Sequence, residues 1–384
     1  MQDILQFEIH DIGSKFYDWF IISDVHLGSR NNSIEWQENI EDYFKNFLIP
    51  FIKKNKTDNS VLFILGDLFD DRKSVGIDIL NLAIDLIEEL TSILPVWVLL
   101  GNHDMFKKKD GKINSLRSLE NRPNIFIFKK PTVVVYQNAS NEAIYSFLVP
   151  HQGDVAYESV LIQEFINRYG SSNKDCPNLI FTHTDIAGLK YDNNKNINTG
   201  VQFKKNANIK IYSGHIHKRQ ESSKVIYVGS PYHLRRSDIG NTKGIYRIDI
   251  SDPKKKAKFF PNEYSPVFKR IFYNLILDQP LGEIKKICKN NYIDIVINES
   301  DLVDLNVNDL IETLQVCNAK RIEIQVNKNL SGDIKFNEED YKELTLEDLI
   351  ESNIECMNVQ DKTKKVLKEM FDYYYYIAKQ EVDE

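Results

Sequence analysis

The sequence predicts a large α/β region followed by a small α+β unit and a helical tail. From Trp19 to about Asp249, short apolar segments that end in polar, glycine-containing turns alternate with amphipathic helical stretches. The pattern changes after a basic run and a break at Pro261 to Pro266, and again from Asn337, where the chain becomes acidic. The chain has 384 residues, a length that allows about two to three domains.

The composition is that of an ordinary globular protein, with 42% apolar and 27% charged residues. No run approaches the roughly 20 apolar residues that span a bilayer, and Met1 to His10 does not resemble a secretory signal. Four scattered cysteines without a CxxC pair argue against a zinc cluster and against a disulfide framework. We expect a cytoplasmic protein, in a bacterium or in the host cell if the gene belongs to a phage. The net charge of -7 gives no global sign of nucleic-acid binding.

The large region is expected to form a catalytic domain over residues 1–260. Its helices include Ile77 to Leu90, where Ile77, Leu80, Ile84 and Ile87 lie on one face. Its strands are predicted by short apolar segments: Trp19 to Ser23, Val61 to Leu65, Val96 to Leu100, Ile125 to Phe128, Ala143 to Val149, Leu179 to Thr182, Ile209 to Tyr212, Val225 to Val228 and Gly244 to Ile250.

The small α+β unit is expected over residues 264–330. It contains few residues able to do chemistry, which favours a capping or substrate-recognition domain. Its pattern predicts, in order, a strand over Val267 to Ile276, a helix over Leu281 to Cys288, a strand over Tyr292 to Ile297, a helix over Val307 to Val316 and a strand over Ile322 to Val326.

The tail, residues 337–384, is predicted to be helical. One helix is expected to begin near Thr345 to Asp348 and a second to run from Lys362 to Lys379. Two short helices cannot bury their apolar stripe by themselves. The sequence leaves open whether they fold back on the catalytic domain or bind a partner protein.

Five segments place metal-binding side chains directly after a predicted strand. Because open α/β sheets bind ligands at the carboxyl ends of their strands, these side chains can converge on one crevice. Each segment alone is weak evidence, but five of the eight histidines fall in these segments. The segments are Ser23-Asp24-Val25-His26, Gly66-Asp67-Leu68-Phe69-Asp70, Gly101-Asn102-His103-Asp104, Thr182-His183-Thr184-Asp185 and Gly214-His215-Ile216-His217.

Carboxylate, amide and imidazole ligands together suit manganese, iron or zinc better than calcium or magnesium alone. Two such ions about 4 Å apart can bind a phosphoryl oxygen and lower the pKa of a bound water, which is the chemistry of phosphoester hydrolysis. The sequence therefore predicts a two-metal hydrolase. We expect two divalent ions, with manganese favoured and magnesium as the alternative.

The order of these motifs resembles that of the calcineurin-like metallophosphoesterases, from Asp24 to His217. The resemblance implies a four-layer α/β/β/α sandwich. One metal would be held by Asp24, His26 and His217, the other by Asn102, His183 and His215, with Asp67 bridging. The resemblance also implies that His103 is the general acid for the leaving oxygen and that Asp70 orients it.

Finer details resemble the SbcD-type nuclease subunit of the ATPase–nuclease complexes that process DNA breaks in bacteria and tailed phages. These are Asp24-Val25-His26-Leu27-Gly28, Gly-Asn-His-Asp in the third motif, and Gly229-Ser230-Pro231. The resemblance implies a DNA exonuclease and endonuclease acting in repair and recombination, a small domain that caps the DNA site, and a tail that binds an ABC-type coiled-coil ATPase. It also suggests a homodimer, with Asn39 to Phe51 as the candidate helix, although such a stripe is more often core.

Basic residues cluster in the loops that are expected to rim the site, as a DNA backbone would require. The alternatives are a phosphomonoesterase or cyclic-nucleotide phosphodiesterase, favoured by Asp70-Asp71-Arg72, and a non-catalytic scaffold, which should have lost ligands. The candidate DNA-binding residues are Arg30, Arg72, Lys73, Lys107, Lys108, Lys109, Lys218, Arg219, Arg235 and Arg236.

Overall fold

The computed structural model describes residues 6–107, 110–139, 141–170, 177–203, 208–252, 254–277, 280–298, 318–327 and 364. Met1–Asn327 forms one compact unit and Lys328–Glu384 a second. Both predicted tail helices and the predicted helix over Val307 to Val316 lie outside the described residues. None of the described helices is long and apolar enough to cross a membrane.

Strands dominate the described part of the chain. In chain order they are β1 (Glu8–Gly13), β2 (Asp18–Ile22), β3 (Ser60–Ile64), β4 (Val96–Leu99), β5 (Met105–Lys107), β6 (Asp110–Asn114), β7 (Ile125–Phe128), β8 (Thr132–Gln137), β9 (Ala143–Val149), β10 (Asn178–His183), β11 (Ile209–Gly214), β12 (Gln220–Glu221), β13 (Val225–Tyr227), β14 (Gly244–Asp249), β15 (Lys258–Pro261), β16 (Phe268–Phe272), β17 (Tyr292–Asn298) and β18 (Arg321–Asn327).

Two large sheets carry the fold. One has the strand order β15-β14-β2-β3-β4-β7 and the other the order β1-β8-β9-β10-β11-β13-β12. In the first sheet β2, β3, β4 and β7 pair in parallel, and in the second β9, β10, β11 and β13 do so. The carboxyl ends of these parallel strands are therefore grouped at one edge of each sheet.

The described α-helices of five or more residues are α1 (Ile34–Tyr43), α2 (Ile49–Asn55), α3 (Ile77–Thr91), α4 (Val155–Tyr169), α5 (Tyr273–Leu277) and α6 (Leu281–Cys288), and a π-helical segment, Phe44–Leu48, joins α1 to α2. Other helical segments are Ser29–Asn32 and the 3₁₀ turns Ser115–Leu119 and Arg236–Asp238. Alternation along each strand sends one set of side chains to the facing sheet and the other set to helices. In β2, Trp19 and Ile21 lie between the sheets, whereas Phe20 and Ile22 pack with residues of α1 and α3.

Three apolar cores separate four layers. The second sheet packs against α4 on its outer face through Leu161, Ile162 and Phe165. The order of layers is thus helices, first sheet, second sheet, helix, which confirms the α/β/β/α sandwich. Aromatic residues between the sheets, such as Trp97 and Phe181, are buried.

A third sheet, β16-β17-β18, forms the small unit with α5 and α6, and its strands are parallel. Its core contains Ile284, Ile293 and Ile295. The prediction of a strand over Val267 to Ile276 is wrong for the second half of that segment. The hydrogen-bonded ladder to β17 ends at Phe272, and a short helix follows. Apolar alternation persists past Phe272 since Ile276 enters the same core from the helix.

The small unit packs against α1 through an aromatic cluster of Trp36, Phe268 and Tyr292. The Trp36 and Tyr292 rings meet edge to face with centroids 4.9 Å apart. The Arg236 guanidinium, from the large region, pairs with Asp294 at 2.9 Å and with Glu323. The Tyr292 hydroxyl lies 2.7 Å from the Asn39 side-chain amide, which donates to it.

Candidate metal centre

The seven expected metal ligands meet where strands of both sheets end. Asp24 and His26 follow β2, Asp67 follows β3, and Asn102 follows β4 in the first sheet. His183 closes β10, and His215 and His217 follow β11, in the second sheet. The register of each sheet brings the ends of adjacent strands together, and the face-to-face packing of the sheets brings the two sets within contact distance.

Asp24, His26 and His217 form one buried group. The two imidazole Nε2 atoms of His26 and His217 are 2.9 Å apart. The Asp24 Oδ1 atom lies 4.0 Å from His26 Nε2 and 3.9 Å from His217 Nε2. Three donor atoms thus face one point.

Asp67, His183 and His215 form a second group, and Asn102 belongs with it. The Asn102 Oδ1 atom is 2.9 Å from His183 Nε2 and 2.6 Å from His215 Nδ1. Asp67 Oδ2 lies 3.1 Å from His183 Nε2 and 3.8 Å from His26 Nε2. Asp67 therefore lies between the two groups, where a bridging ligand would be.

The pKa values of two of the candidate ligands shift in opposite directions. Burial lowers the pKa of His183, but the adjacent Asp67 carboxylate outweighs burial and raises that pKa to about 10. Burial and the nearby His26 hold the pKa of His217 well below its usual range. Because buried charges require compensation, the Asp67 carboxylate favours a positive charge beside His183. Divalent cations would supply that charge, since metal ligands bind in deprotonated form.

Outer contacts orient the imidazoles. His183 Nδ1 donates to the Leu65 carbonyl at 2.6 Å, which leaves Nε2 for the site. His26 Nδ1 is 2.7 Å from an Asp70 carboxylate oxygen, and His215 Nε2 is 3.4 Å from Asp185 Oδ1. Carboxylate or carbonyl partners of this kind fix the tautomer of metal-binding histidines.

Asp70 contacts His103 in a way that the sequence did not indicate. The Asp70 carboxylate faces His26, whereas its backbone carbonyl accepts a hydrogen bond from His103 Nδ1 at 2.5 Å. The expected pairing of the Asp70 carboxylate with His103 is therefore replaced by a main-chain contact. The His103 ring still lies beside the first ligand group, with its centroid 4.9 Å from that of His26.

The ligand loops adopt unusual backbone conformations. Asp24, His26, Asp67 and His215 have φ values of 54°, 53°, 52° and 80°, a region that disfavours residues with a Cβ atom. Gly101 allows a close approach that no other residue would permit, because a Cβ atom there would lie 2.2 Å from Asp67 Oδ1.

Asp104 holds two of these loops together. Its carboxylate accepts backbone N–H groups from Asp67 and Gly101 on Oδ2, both at 3.0 Å, and those of Leu68 and Phe69 on Oδ1, both at 3.1 Å. Burial and the nearby Asp67 carboxylate raise the pKa of Asp104 to about 7, while the N–H donors favour its ionised form. The sequence offered one signal, the Asp at the end of Gly-Asn-His-Asp.

Two of the remaining histidines lie near the site or the small unit. His151 Nδ1 lies 3.2 Å from the His183 carbonyl oxygen, and the His151 ring is stacked on that of His215 with the centroids 6.0 Å apart. His233 donates from Nε2 to the Asn241 carbonyl and accepts the Phe268 N–H on Nδ1. His233 thus joins the small unit to the large region.

Four of the basic residues expected at the rim form two sets, one held in structural contacts and one close to the candidate ligands. Arg219 pairs with Glu221, and Arg236 pairs with acids of the small unit, so both are held in structural contacts. Arg72 lies near enough to His103 to lower its pKa further, after burial and other neighbours. Arg235 is exposed and lies close to Asp70 and His217, whose pKa values it lowers.

The other rim candidates are placed as follows. The Arg30 guanidinium lies 4.3 Å above the Trp36 ring, and the Lys218 ammonium donates to Asn194 at 2.5 Å. Lys73 and Lys107 are exposed. Lys108 and Lys109 lie outside the described residues.

The fold and the two ligand groups define a metal-dependent phosphoesterase of the sandwich type. Residues 20–219 match the calcineurin-like phosphoesterase family, and the chain belongs to that family. The family is one of hydrolases that act on phosphoesters with divalent metals, which agrees with the chemistry of the residues gathered here.

Two virus-encoded proteins are similar to this chain. Exonuclease subunit 1 of Enterobacteria phage T4 is 25% identical over 244 residues, which are 63% of this chain and 66% of that protein. The putative phosphoesterase 244L of Invertebrate iridescent virus 6 is 24% identical over 264 residues, 64% of this chain and 87% of that protein. The chain thus covers just under two thirds of the phage protein.

Proposed function

We propose that this chain is a metal-dependent DNA nuclease that hydrolyses phosphodiester bonds. The observation that carries the proposal is the pair of ligand groups on either side of Asp67, whose Oδ2 lies 3.1 Å from His183 Nε2 and 3.8 Å from His26 Nε2, with His103 beside them. The similarity to a phage exonuclease subunit favours a nucleic acid over other phosphoesters, and the resemblance of the motifs to SbcD-type subunits favours DNA. The exonuclease and endonuclease activities, and a role in repair and recombination, belong to the same proposal.

One ion would be held by Asp24, His26 and His217. The other would be held by Asn102, His183 and His215. Asp67 would be a ligand of both. Two divalent ions, manganese in our proposal, would supply Lewis acidity toward the phosphoryl oxygens and toward water. The mixed nitrogen and oxygen donors, and the excess negative charge that raises the pKa of His183, support this assignment.

His103 would protonate the leaving oxygen. Its Nδ1 donates to the Asp70 carbonyl, so Nε2 is the atom that holds or releases a proton toward substrate. The His103 backbone N–H donates to Asp67 Oδ1 at 2.8 Å. The loop is therefore fixed by the same carboxylate that lies between the ligand groups, and the acid keeps a constant position relative to the ions.

Arg72 and Arg235 are the rim residues that we propose contact phosphates of the DNA backbone. Both are close enough to influence the titration of site residues. Contacts of this kind supply affinity and position without reading sequence.

A homodimer and an ABC-type coiled-coil ATPase bound by residues 337–384 complete the proposal. The phage relative is a subunit by name, which supports an assembly. Within the candidate dimer stretch Asn39 to Phe51, the side chains of Tyr43, Phe44 and Leu48 pack in the chain's own core, so they do not supply the dimer surface.

The test compares three substrates with Mn²⁺: linear duplex DNA, single-stranded DNA and a chromogenic phosphomonoester. We expect cleavage of DNA, and turnover of the monoester alone would contradict the nuclease and favour a phosphomonoesterase. In His103→Ala, cleavage should fall by about 100-fold to 10,000-fold, the usual contribution of general acid catalysis, while two Mn²⁺ ions still bind. Loss of metal from this variant would refute the acid role.

A further inference from the structure

A buried ion pair lies behind the first ligand group and has no part in the chemistry described above. Lys243 and Asp238 are 3% and 2% exposed. The Lys243 ammonium donates to Asp238 Oδ1 at 2.6 Å and to the backbone carbonyl of His217, also at 2.6 Å. Because burying two charges often costs more free energy than their attraction returns, such a pair is weak evidence for stability.

The pair joins the ligand loop to a second loop, which contains Leu234 and Arg235. Asp238 Oδ2 accepts the backbone N–H groups of Leu234 and Arg235, both at 2.9 Å. One carboxylate oxygen of Asp238 is thereby held by backbone N–H groups, and the other holds the Lys243 ammonium. A continuous chain of hydrogen bonds runs from the Leu234 loop through two buried charges to His217.

His217 needs such an anchor. It lies three residues beyond the end of β11, after His215, whose φ value is 80°. The His217 carbonyl also accepts the Ser230 N–H at 3.1 Å, so its main chain depends on groups that follow it by 13 and 26 residues. Metal ligands must be held within about 0.5 Å of the productive geometry by surrounding groups.

We propose that Lys243 and Asp238 are positioning residues that hold His217 in place for the metal ion of the first ligand group. The proposal rests on the proposed metal centre, in which His217 is a ligand. It assigns to the pair a selective effect: one of the two metal sites depends on it and the other does not.

The experiment compares two double variants. Lys243→Met with Asp238→Asn removes both charges and so leaves no unpaired buried charge. Arg247→Met with Asp18→Asn is the matched control, because Asp18 and Arg247 form a bidentate pair at 2.7 and 2.9 Å at the opposite end of β2 from Asp24. Mn²⁺ binding is measured by isothermal titration, and low-temperature electron paramagnetic resonance separates coupled pairs of Mn²⁺ from single ions.

We expect the Lys243 and Asp238 variant to keep one site and to lose about 10-fold to 100-fold in affinity at the other, the usual effect of removing an outer partner of a ligand. Its spectrum at limiting Mn²⁺ should be that of single ions. The control should bind two ions as the wild type does.

Other outcomes separate the proposals. Wild type that binds no Mn²⁺ pair contradicts the proposed metal centre. Wild type that binds the pair, with a variant that binds it equally well or is weakened at both sites, contradicts the positioning role. If the double variant does not fold, Mn²⁺ binding is measured on the single variant Asp238→Asn, whose amide oxygen still accepts the Leu234 and Arg235 N–H groups. This variant too must weaken one metal site; if it does not, the inference is wrong.

Discussion

Replacement of Asp104 by Asn tests how the ligand loops are held. The Asp104 carboxylate receives four backbone N–H groups, two on each oxygen, from the loops that carry Asp67 and Asn102. Asparagine has nearly the same shape, but one of its two terminal groups is an amide NH₂ that cannot accept. Two buried N–H groups would then face a donor.

The expected cost follows from this count. A buried donor left without an acceptor costs about 1–3 kcal/mol, so two cost about 2–6 kcal/mol. This is a large share of the total stability of about 5–15 kcal/mol that is usual for a protein. Asp104→Asn should therefore unfold at a much lower urea concentration, and its two ligand loops should bind Mn²⁺ more weakly.

Urea unfolding followed by circular dichroism, with a chelator present, measures the effect apart from metal binding. Burial and the nearby Asp67 carboxylate raise the pKa of Asp104 to about 7. The measurement is therefore made at pH 8, above that pKa. Asp71→Asn is the control, since Asp71 is exposed and accepts the Lys73 N–H at 2.8 Å. Equal urea midpoints for wild type and Asp104→Asn would refute the reasoning, because they would mean that a neutral side chain serves equally well.

Two further predictions concern the surroundings of the site. Asp70→Asn should weaken Mn²⁺ binding by about 10-fold to 100-fold through His26, measured by titration, whereas Asp71→Asn should bind as the wild type does. The Phe268 N–H donates to His233, which must be neutral to accept it, and burial lowers the pKa of His233 from 6.5 to about 4. The contribution of neutral His233 to the free energy of unfolding is present above pH 6.5 and is lost as the pH falls toward 4, by about 2 kcal/mol at pH 5. Urea unfolding of the wild type at pH 7 and pH 5 should show that loss. An equal loss in His233→Gln would contradict the role of His233.

Much of the fold could be predicted from the sequence, because its strands are short apolar runs with clear ends. Each of the nine strands predicted in the large region is present within about two residues of its expected bounds. The strand β1 was not predicted, since Glu8, His10 and Asp11 give it a mostly polar pattern, as suits its place at the edge of a sheet. Edge strands bury fewer side chains and so carry a weaker apolar signal.

The candidate ligands could be identified because strand ends are local features of the sequence. The residues that hold the ligands could not, since each contact joins distant segments. Asp104 reaches back 37 residues to Asp67, and Lys243 reaches back 26 residues to His217. Asp70 illustrates the same limit: its position was noticed, but whether its carboxylate or its carbonyl faces His103 depends on the path of the loop.

The ligand groups draw on both sheets, and this gives the ions a mechanical role as well as a chemical one. In each group, residues from β2, β3 or β4 meet residues from β10 or β11. An ion held as we propose would thus link the two sheets, and its affinity would depend on the spacing between them. Replacement of Trp97 or Phe181, which lie between the sheets, by a smaller residue would let the two ligand sets move relative to each other. A purely apolar substitution far from any charge would therefore weaken metal binding.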